Sequence, residues 1–375
     1  MSFLEVLTQA DPRALRARVE AATAADVERA LSSAELTYSD FLALISPAAS
    51  SYLEAMAQRA RSLTLQRFGR VIQLYAPIYV SNECTNRCVY CSFAATNDVP
   101  RSTLGVEQAA TEAEVLRRMG FQHLLVVSGE APRAVPVEYF EQVLRRIRTR
   151  AAYLALEIYP LETAEYARLV DAGADGVTLY QETYDPEIYR AVHPAGRKAD
   201  YSWRLSGLER AGEAGMTRLN VGALLGLNEW RSEAAIVGLH ASWLTKRYWR
   251  AQISVSFPRL RRGPKGYGPS HPVSDAALVQ MMTAARLFLP DAGIVLSTRE
   301  PSQLRDALIP LGVTQMSAGS RTEPGGYSVP CEEGAQFDVQ DRRSPEQVAE
   351  VIRKAGYEPV WKDWDRVMAR PVAAA

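Results

Sequence analysis

From residue 71 onward the chain alternates short β-rich runs with amphipathic segments, and this rhythm limits the fold more than any other feature. The runs are VIQLYAPIYV (71–80), HLLVVS (123–128), YLALEIY (153–159), GVTLY (176–180), TRLNVGALL (217–225), AQISVSF (251–257), GIVLST (293–298) and VTQMSA (313–318). Between them lie segments with apolar residues at helical spacing, at 106–120, 135–150, 162–173, 202–215, 232–249, 274–289 and 300–312. Eight strand units separated by helices predict an α/β fold, a parallel (β/α)₈ barrel of the TIM type, whose reactive groups gather at the C-terminal ends of the strands. A doubly wound open sheet would need a Gly-rich phosphate turn after its first strand, and the sequence has none there. Residues 1–68 read as an N-terminal helical extension, 69–320 as the barrel and 321–375 as a C-terminal extension with one helix at 345–355. The helical N-terminus and the Gly-rich TEPGGYSVP segment are expected to close the barrel's ends.

Directly after the first strand come three of the four cysteines, Cys84, Cys88 and Cys91. Three clustered thiolates can hold three irons of a [4Fe–4S] cluster and leave the fourth iron open to a small molecule, since the usual complement is four. A structural zinc site would need a fourth ligand, but no histidine is near in sequence and Cys331 lies far along the chain, in a segment without ligand spacing. Buried apolar cysteines are a further possibility, though Asn82, Glu83, Asn86 and Arg87 make the surroundings polar and loop-like.

If the barrel forms, other strand ends should carry groups for ligands. The second ends in Ser128-Gly129-Glu130, where glycine permits close backbone approach and a carboxylate can receive an ammonium. Glu157, Gln181 and Glu182 are candidates for hydroxyl binding, with solvated or helix-capping roles as the alternative. Arg204 is either a carboxylate partner or a surface helix residue. Arg299, with Ser317 and Ser320 on the next strand end, is a natural carboxylate receptor because a planar fork of donors meets directed hydroxyls; an interhelix salt bridge is the other reading for Arg299.

The 43 basic and 43 acidic residues cancel, so no global field favours nucleic acid or an anionic membrane, and a small neutral or zwitterionic substrate fits better than a polyanion. The N-terminus lacks the basic-then-apolar pattern of an export signal, and no stretch approaches about eighteen uninterrupted apolar residues. A cytoplasmic protein is the expectation, and few, clustered cysteines suit a reducing compartment.

With Tyr90 before its last cysteine, the motif C-x-x-x-C-x-Tyr-C resembles the radical S-adenosylmethionine (SAM) superfamily. The resemblance implies that the open iron binds the amino and carboxylate groups of SAM, and that an electron from the cluster cleaves the sulfonium to a 5′-deoxyadenosyl radical. It also implies SAM contacts for Tyr90 and for Ser128-Gly129-Glu130, which stands where the superfamily carries a Gly-Gly-Glu-like segment, with Glu157, Gln181, Glu182 and Arg204 as further candidates. Longer stretches, PIYVSNECTNRCVYCSF, HLLVVSGE, LYQETYDPEIY, NVGALLGL, YWRAQISVSFPRLR, LSTRE, TEPGGY and VWKDWD, resemble the 2-iminoacetate synthase family of radical SAM tyrosine lyases, from about residue 23 to 366. That resemblance implies conversion of L-tyrosine, SAM and a reductant to 2-iminoacetate, 4-cresol, 5′-deoxyadenosine and methionine for thiamine thiazole synthesis. It places Arg299, Ser317 and Ser320 on the substrate carboxylate and Tyr79 near the substrate amine, with barrel-end packing as the alternative for Tyr79. It implies thiazole synthase as a partner and an electron donor of flavodoxin or ferredoxin type. Related tyrosine lyases of hydrogenase maturation carry a second cluster on a C-terminal extension; only Cys331 follows the barrel here, so a single cluster is expected. Tryptophan lyases, and a non-catalytic iron–sulfur scaffold, are the remaining alternatives.

Overall fold

The computed structural model describes residues 1–329 and 334–362; Cys331 and the end of the VWKDWD stretch lie outside them. All eight runs form parallel strands: β1 Val71–Ser81, β2 His123–Ser128, β3 Tyr153–Glu157, β4 Gly176–Glu182, β5 Arg218–Ala223, β6 Gln252–Ser256, β7 Gly293–Leu296 and β8 Gln315–Ser317. Each pairs with its neighbour in sequence, and β1 pairs with both β2 and β8, so the sheet closes into a barrel. A ninth strand, β9 Glu358–Val360, pairs in parallel with the first three residues of β1. Three residues that include a proline give no strand signal, which is why periodicity missed it.

The strands have two different buried faces. Ile72, Leu74, Ala76 and Ile78 of β1 are fully or almost fully buried under the helices, each apolar side chain contributing about 1.5–3 kcal/mol where it is a large one. The alternate residues point inward, where polar groups collect. At the N-terminal end of the barrel Gln73, His123, Tyr153, Arg218 and Asn220 line a cavity of about 380 Å³, and Arg218 sits 4.5 Å over the Tyr153 ring.

The last N-terminal helix, Leu53–Phe68, brings Phe68 to the wall of the cavity at the barrel's N-terminal end, but the helices before it do not close a barrel end. They lie outside the barrel against the helices Trp230–Arg247 and Asp275–Phe288: Phe3 stacks on His240 at 3.8 Å, Phe41 stacks on Phe288 at 4.8 Å, and Gln280 Nε2 donates to the carbonyls of Leu44 and Ser46. Their apolar stripes find a matching apolar surface on those helices, and the polar barrel mouth offers none. The C-terminal segment does cross the mouth, where residues 334–344 form a strap. Gln340 and Asp341 N–H groups donate to Thr298 O at 3.0 and 3.1 Å, while Asp341 pairs with Arg305 in full burial. The single helix expected over 202–215 breaks into Tyr201–Leu205 and Gly207–Glu213; the break brings Gly207 so close to β4 that a Cβ there would lie 2.3 Å from Leu179 Cδ2. Among the described residues, no helix is long and apolar enough to cross a membrane.

Candidate active site

The cysteine loop leaves β1 at the C-terminal rim and is held by its own polar residues. Ser102 N–H donates to Asn82 Oδ1 at 2.7 Å, Arg101 donates to the carbonyls of Asn82, Phe93, Ala94 and Asn97, and Asn97 Nδ2 donates to Cys91 O at 3.0 Å. On its far side Thr85 donates through both N–H and Oγ1 to Glu130 O, at 2.8 and 3.0 Å. Gly129 makes this approach possible: a Cβ there would stand 2.2 Å from Glu83 O, so only glycine lets the end of β2 meet the loop. The loop thereby gathers three thiols. Burial pushes the Cys91 thiol up to about 12, with Cys88 and Cys84 adding to it, and burial pushes Cys88 up to about 11.

Buried thiols with raised proton affinity become ligands when a cation beside them stabilises the thiolates. Among the described residues no three His, Cys, Asp or Glu side chains converge as a single metal ion would need. Beside the loop, Glu130 is buried, its Oε2 accepts from Asn86 Nδ2 at 2.8 Å, and its Oε1 has no partner among the described residues. An orphaned carboxylate oxygen next to the thiols fits an incoming ammonium. The residues present therefore fit a cluster on Cys84, Cys88 and Cys91 with a zwitterion between it and Glu130.

The other candidates spread along the rim. Ser128 Oγ donates to Gly129 O at 2.9 Å and braces the turn. Tyr90 is half-buried; its hydroxyl lies 2.7 Å from His193 Nε2, and His193 Nδ1 lies 2.8 Å from Tyr189 O. A carbonyl only accepts, so Nδ1 carries the proton and Tyr90 donates to Nε2; burial and then the Lys198 charge push His193 down to about 3, keeping it neutral. Glu157 ends β3 without a hydrogen-bond partner among the described residues, and burial followed by the Glu182 charge raises its carboxyl to about 7. Glu182 has φ 70° at a bulge in β4, which turns its carboxylate to Lys198 Nζ at 2.6 Å and Arg204 Nη2 at 3.2 Å. Burial opposes its ionisation, but those two cations outweigh it and hold the carboxyl below its ordinary value. Arg204 is buried, not on the surface, and its Nε also donates to Tyr180 O at 2.7 Å.

Gln181 is not brought to the mouth. Tyr180 faces the barrel interior, so its neighbour points to the opposite face of the strand, and Gln181 Nε2 lies 3.4 Å from Tyr201 O in the helical layer.

Across the mouth, a cavity of about 930 Å³ is lined by Tyr90, Arg299, Ser320, Gln336 and Phe337, among others. Arg299 makes no ion pair among the described residues; its guanidinium carbon lies 3.5 Å from the centre of the Phe337 ring. Ser320 Oγ is buried and also without a partner there. Ser317 is buried and is not among the residues lining this cavity; its Oγ accepts from Thr298 N–H at 3.0 Å and also hydrogen-bonds with the Tyr75 side chain. Tyr79 is packed edge-on to Phe93 at 6.0 Å and donates its hydroxyl to Gln336 Oε1 at 2.7 Å. The ring is packed in the barrel end, and its hydroxyl reaches Gln336 of the cavity wall, while Tyr79 itself is buried and not among the residues lining the cavity. Lys198, His193, Gln336 and Phe337 carried no signal in sequence, since none sits in a motif or at a strand end; Asn86 was visible within the cysteine loop.

A closed parallel barrel with three thiols and an orphaned carboxylate at its C-terminal rim defines a radical SAM enzyme. The sequence matches the radical SAM superfamily over residues 78–235 and the biotin and thiamin synthesis associated domain over 256–358. The chain is 44% identical to 2-iminoacetate synthase of Escherichia coli (strain K12) over 370 residues, 98% of each chain, and 44% identical over 357 residues to that of Salmonella typhimurium (strain LT2), 95% of each. It belongs to the 2-iminoacetate synthase family, whose cofactors are a [4Fe–4S] cluster and SAM. Among solved structures it is similar to HydG, a maturase of the [FeFe]-hydrogenase, with a TM-score of 0.88 at 31% identity, covering 94% of this chain and 80% of that one. Methylornithine synthase, at a TM-score of 0.71 and 20% identity over 89% of this chain and 97% of that one, shares the fold.

Proposed function

We propose that this enzyme cleaves the Cα–Cβ bond of L-tyrosine to 2-iminoacetate and 4-cresol, with SAM converted to 5′-deoxyadenosine and methionine, and that the imine supplies the glycine-derived unit of the thiamine thiazole. The observation that carries the substrate class is the pair on the mouth cavity, the Arg299 fork, which makes no ion pair among the described residues, and the Ser320 hydroxyl, which has no hydrogen-bond partner among them, facing the same rim as the cysteine loop. A fork of donors beside a hydroxyl is built for a carboxylate. When bound, the cluster and SAM together supply a 5′-deoxyadenosyl radical for hydrogen abstraction.

The chain's own residues do the rest. Cys84, Cys88 and Cys91 hold the cluster, Glu130 Oε1 takes the SAM ammonium, and Arg204 with Glu182, Glu157 and Tyr90 shape the remainder of the SAM pocket. Arg299, Ser317 and Ser320 hold the tyrosine carboxylate and Tyr79 meets its amine. Fixing both ends of the amino-acid backbone would hold its N–H groups in one orientation, and the strap over the mouth limits water. A donor of flavodoxin or ferredoxin type supplies the electron, and thiazole synthase receives the imine.

Anaerobically reconstituted protein incubated with SAM, dithionite and tyrosine is expected to form 4-cresol and 5′-deoxyadenosine. Formation of 3-methyl-2-indolic acid from tryptophan, with no cresol from tyrosine, would overturn the substrate assignment, and absence of SAM cleavage would return the chain to a scaffold. The likeness to HydG favours one second reading, a tyrosine lyase of hydrogenase maturation. It requires about eight irons per chain where a single cluster gives about four.

A further inference from the structure

Two neighbouring residues of the strap touch both side chains assigned to the substrate's backbone. Gln336 Oε1 accepts the Tyr79 hydroxyl at 2.7 Å, and the Phe337 ring centre lies 3.5 Å from the Arg299 guanidinium carbon. Both are anchored to one buried threonine: Gln336 N–H donates to Thr322 O at 3.0 Å, and Thr322 Oγ1 donates to Phe337 O at 3.1 Å. Tyr79 and Arg299 come from strand ends far apart in sequence with only β8 between them in the barrel, β1 and the loop after β7, and a single short segment sets one relative to the other.

We propose that Gln336 and Phe337 are positioning residues for tyrosine cleavage, a role that rests on the function proposed above. Gln336 acts through hydrogen-bond polarity. A phenol has one hydrogen to donate, and Tyr79 gives it to Gln336, so its oxygen keeps only lone pairs for any further contact. Those lone pairs receive an amine N–H and reject a second acceptor. An amine carries more than one N–H, and holding one of them stops rotation about the Cα–N bond, which fixes where another points. Phe337 acts through stacking. The ring occupies the face of the guanidinium and leaves its edge, where the N–H donors lie, free for a carboxylate. It also restricts the long arginine side chain before substrate arrives, so less rotamer freedom is lost on binding.

The test uses the full chain, reconstituted and assayed anaerobically with SAM, tyrosine and dithionite. Gln336→Leu is expected to keep the cluster absorbance and SAM cleavage while the ratio of 4-cresol to 5′-deoxyadenosine falls roughly fivefold to tenfold; Gln336→Glu, which still accepts from Tyr79, recovers most of that ratio. Phe337→Leu is expected to raise the KM for tyrosine about fivefold with the KM for SAM unchanged, and Phe337→Tyr to restore it. Wild-type coupling and tyrosine KM in both leucine variants would overturn the proposal while leaving tyrosine cleavage standing. So would a glutamate variant no better than leucine, or loss of the cluster in the leucine variants, which would make the strap a structural element only. A wild-type enzyme that forms no cresol would overturn the function and the positioning role together.

Discussion

Two carboxylates on adjacent strand ends, half-buried Glu157 and buried Glu182, hold their protons with opposite strength because only Glu182 pairs directly with cations. Lys198 and Arg204 keep Glu182 ionised, and the charge so fixed adds to burial in raising Glu157 to about 7. Below that pH Glu157 is neutral and a poor acceptor; above it, the carboxylate can take hydroxyls of a bound nucleoside. The kcat/KM for SAM should therefore rise between about pH 6 and pH 8 with an inflection near 7, and Glu157→Gln should flatten the profile. Stability runs the other way. The folded protein keeps a proton that the unfolded chain releases near an ordinary glutamate value of about 4.3, so this group's contribution declines as pH climbs from about 4 to about 7 and is level beyond. Denaturant titrations of wild type and Glu157→Gln at the two ends of that window should differ, and a constant difference would remove the assignment. The cationic side of the mouth separates binding from cluster assembly. Cys88→Ala should abolish both cluster absorbance and 5′-deoxyadenosine, whereas Arg299→Leu should keep the cluster and raise the KM for tyrosine about a hundredfold, the order expected for losing charge-assisted hydrogen bonds. Equal cluster loss in both variants would contradict that separation.

At the scale of elements, the rim works because β2 ends against the cysteine loop with no side chain between them. The contact a Gly129→Ala methyl would make is with the backbone oxygen of Glu83 at 2.2 Å, which has no rotamer to escape into, so the loop must shift at a cost of about 1–3 kcal/mol. Iron per chain after reconstitution should fall in that variant while the circular dichroism of the barrel is kept; full iron loading would mean the loop tolerates the shift. The barrel itself was legible because each strand carries a self-contained signal: a β-branched apolar run such as HLLVVS, bounded by turn residues, reads the same in any context. The three thiols and the Ser128-Gly129-Glu130 turn were legible for a similar reason, being contiguous. What could not be read depends on tertiary approach. The bulge that gives Glu182 a φ of 70° and turns its carboxylate to Lys198 and Arg204 leaves no mark on composition. β9 is too short and contains Pro359. Lys198, His193, Gln336 and Phe337 reach the rim only because helices and the strap fold back over it, and the outward packing of the N-terminal helices depends on which apolar surface they meet, a matter their own amphipathic pattern leaves open.

Over the whole molecule, the C-terminal segment is tied into the barrel twice, by β9 alongside β1 at one end and by the strap across the mouth at the other. The strap's tie is ionic. Arg305 and Asp341 are both fully buried, and Arg305 also donates to Ser317 O at the end of β8. Arg343 reaches Asp341 Oδ2 at 2.7 Å and Asp306 Oδ1 at 2.8 Å. Burial opposes ionisation of Asp341, but Arg343 and Arg305 outweigh it and hold its carboxyl below the ordinary range. A depressed carboxyl contributes stability that is present at neutral pH and lost as pH falls through the ordinary aspartate value near 4, so the protein should destabilise on acidification below that point, and Asp341→Asn should weaken this dependence. Removing one partner leaves a buried charge uncompensated, whereas replacing both with apolar residues removes the charge altogether. Asp341→Ala should therefore cost about 3–5 kcal/mol, and the double variant Arg305→Met with Asp341→Leu should recover much of it. If barrel and strap form one folding unit, both proteins unfold in a single transition, with the midpoint lowered in the alanine variant and largely restored in the double one. A loss below about 1 kcal/mol in Asp341→Ala, or a separate early transition, would instead mean that the strap docks on a barrel that is stable without it.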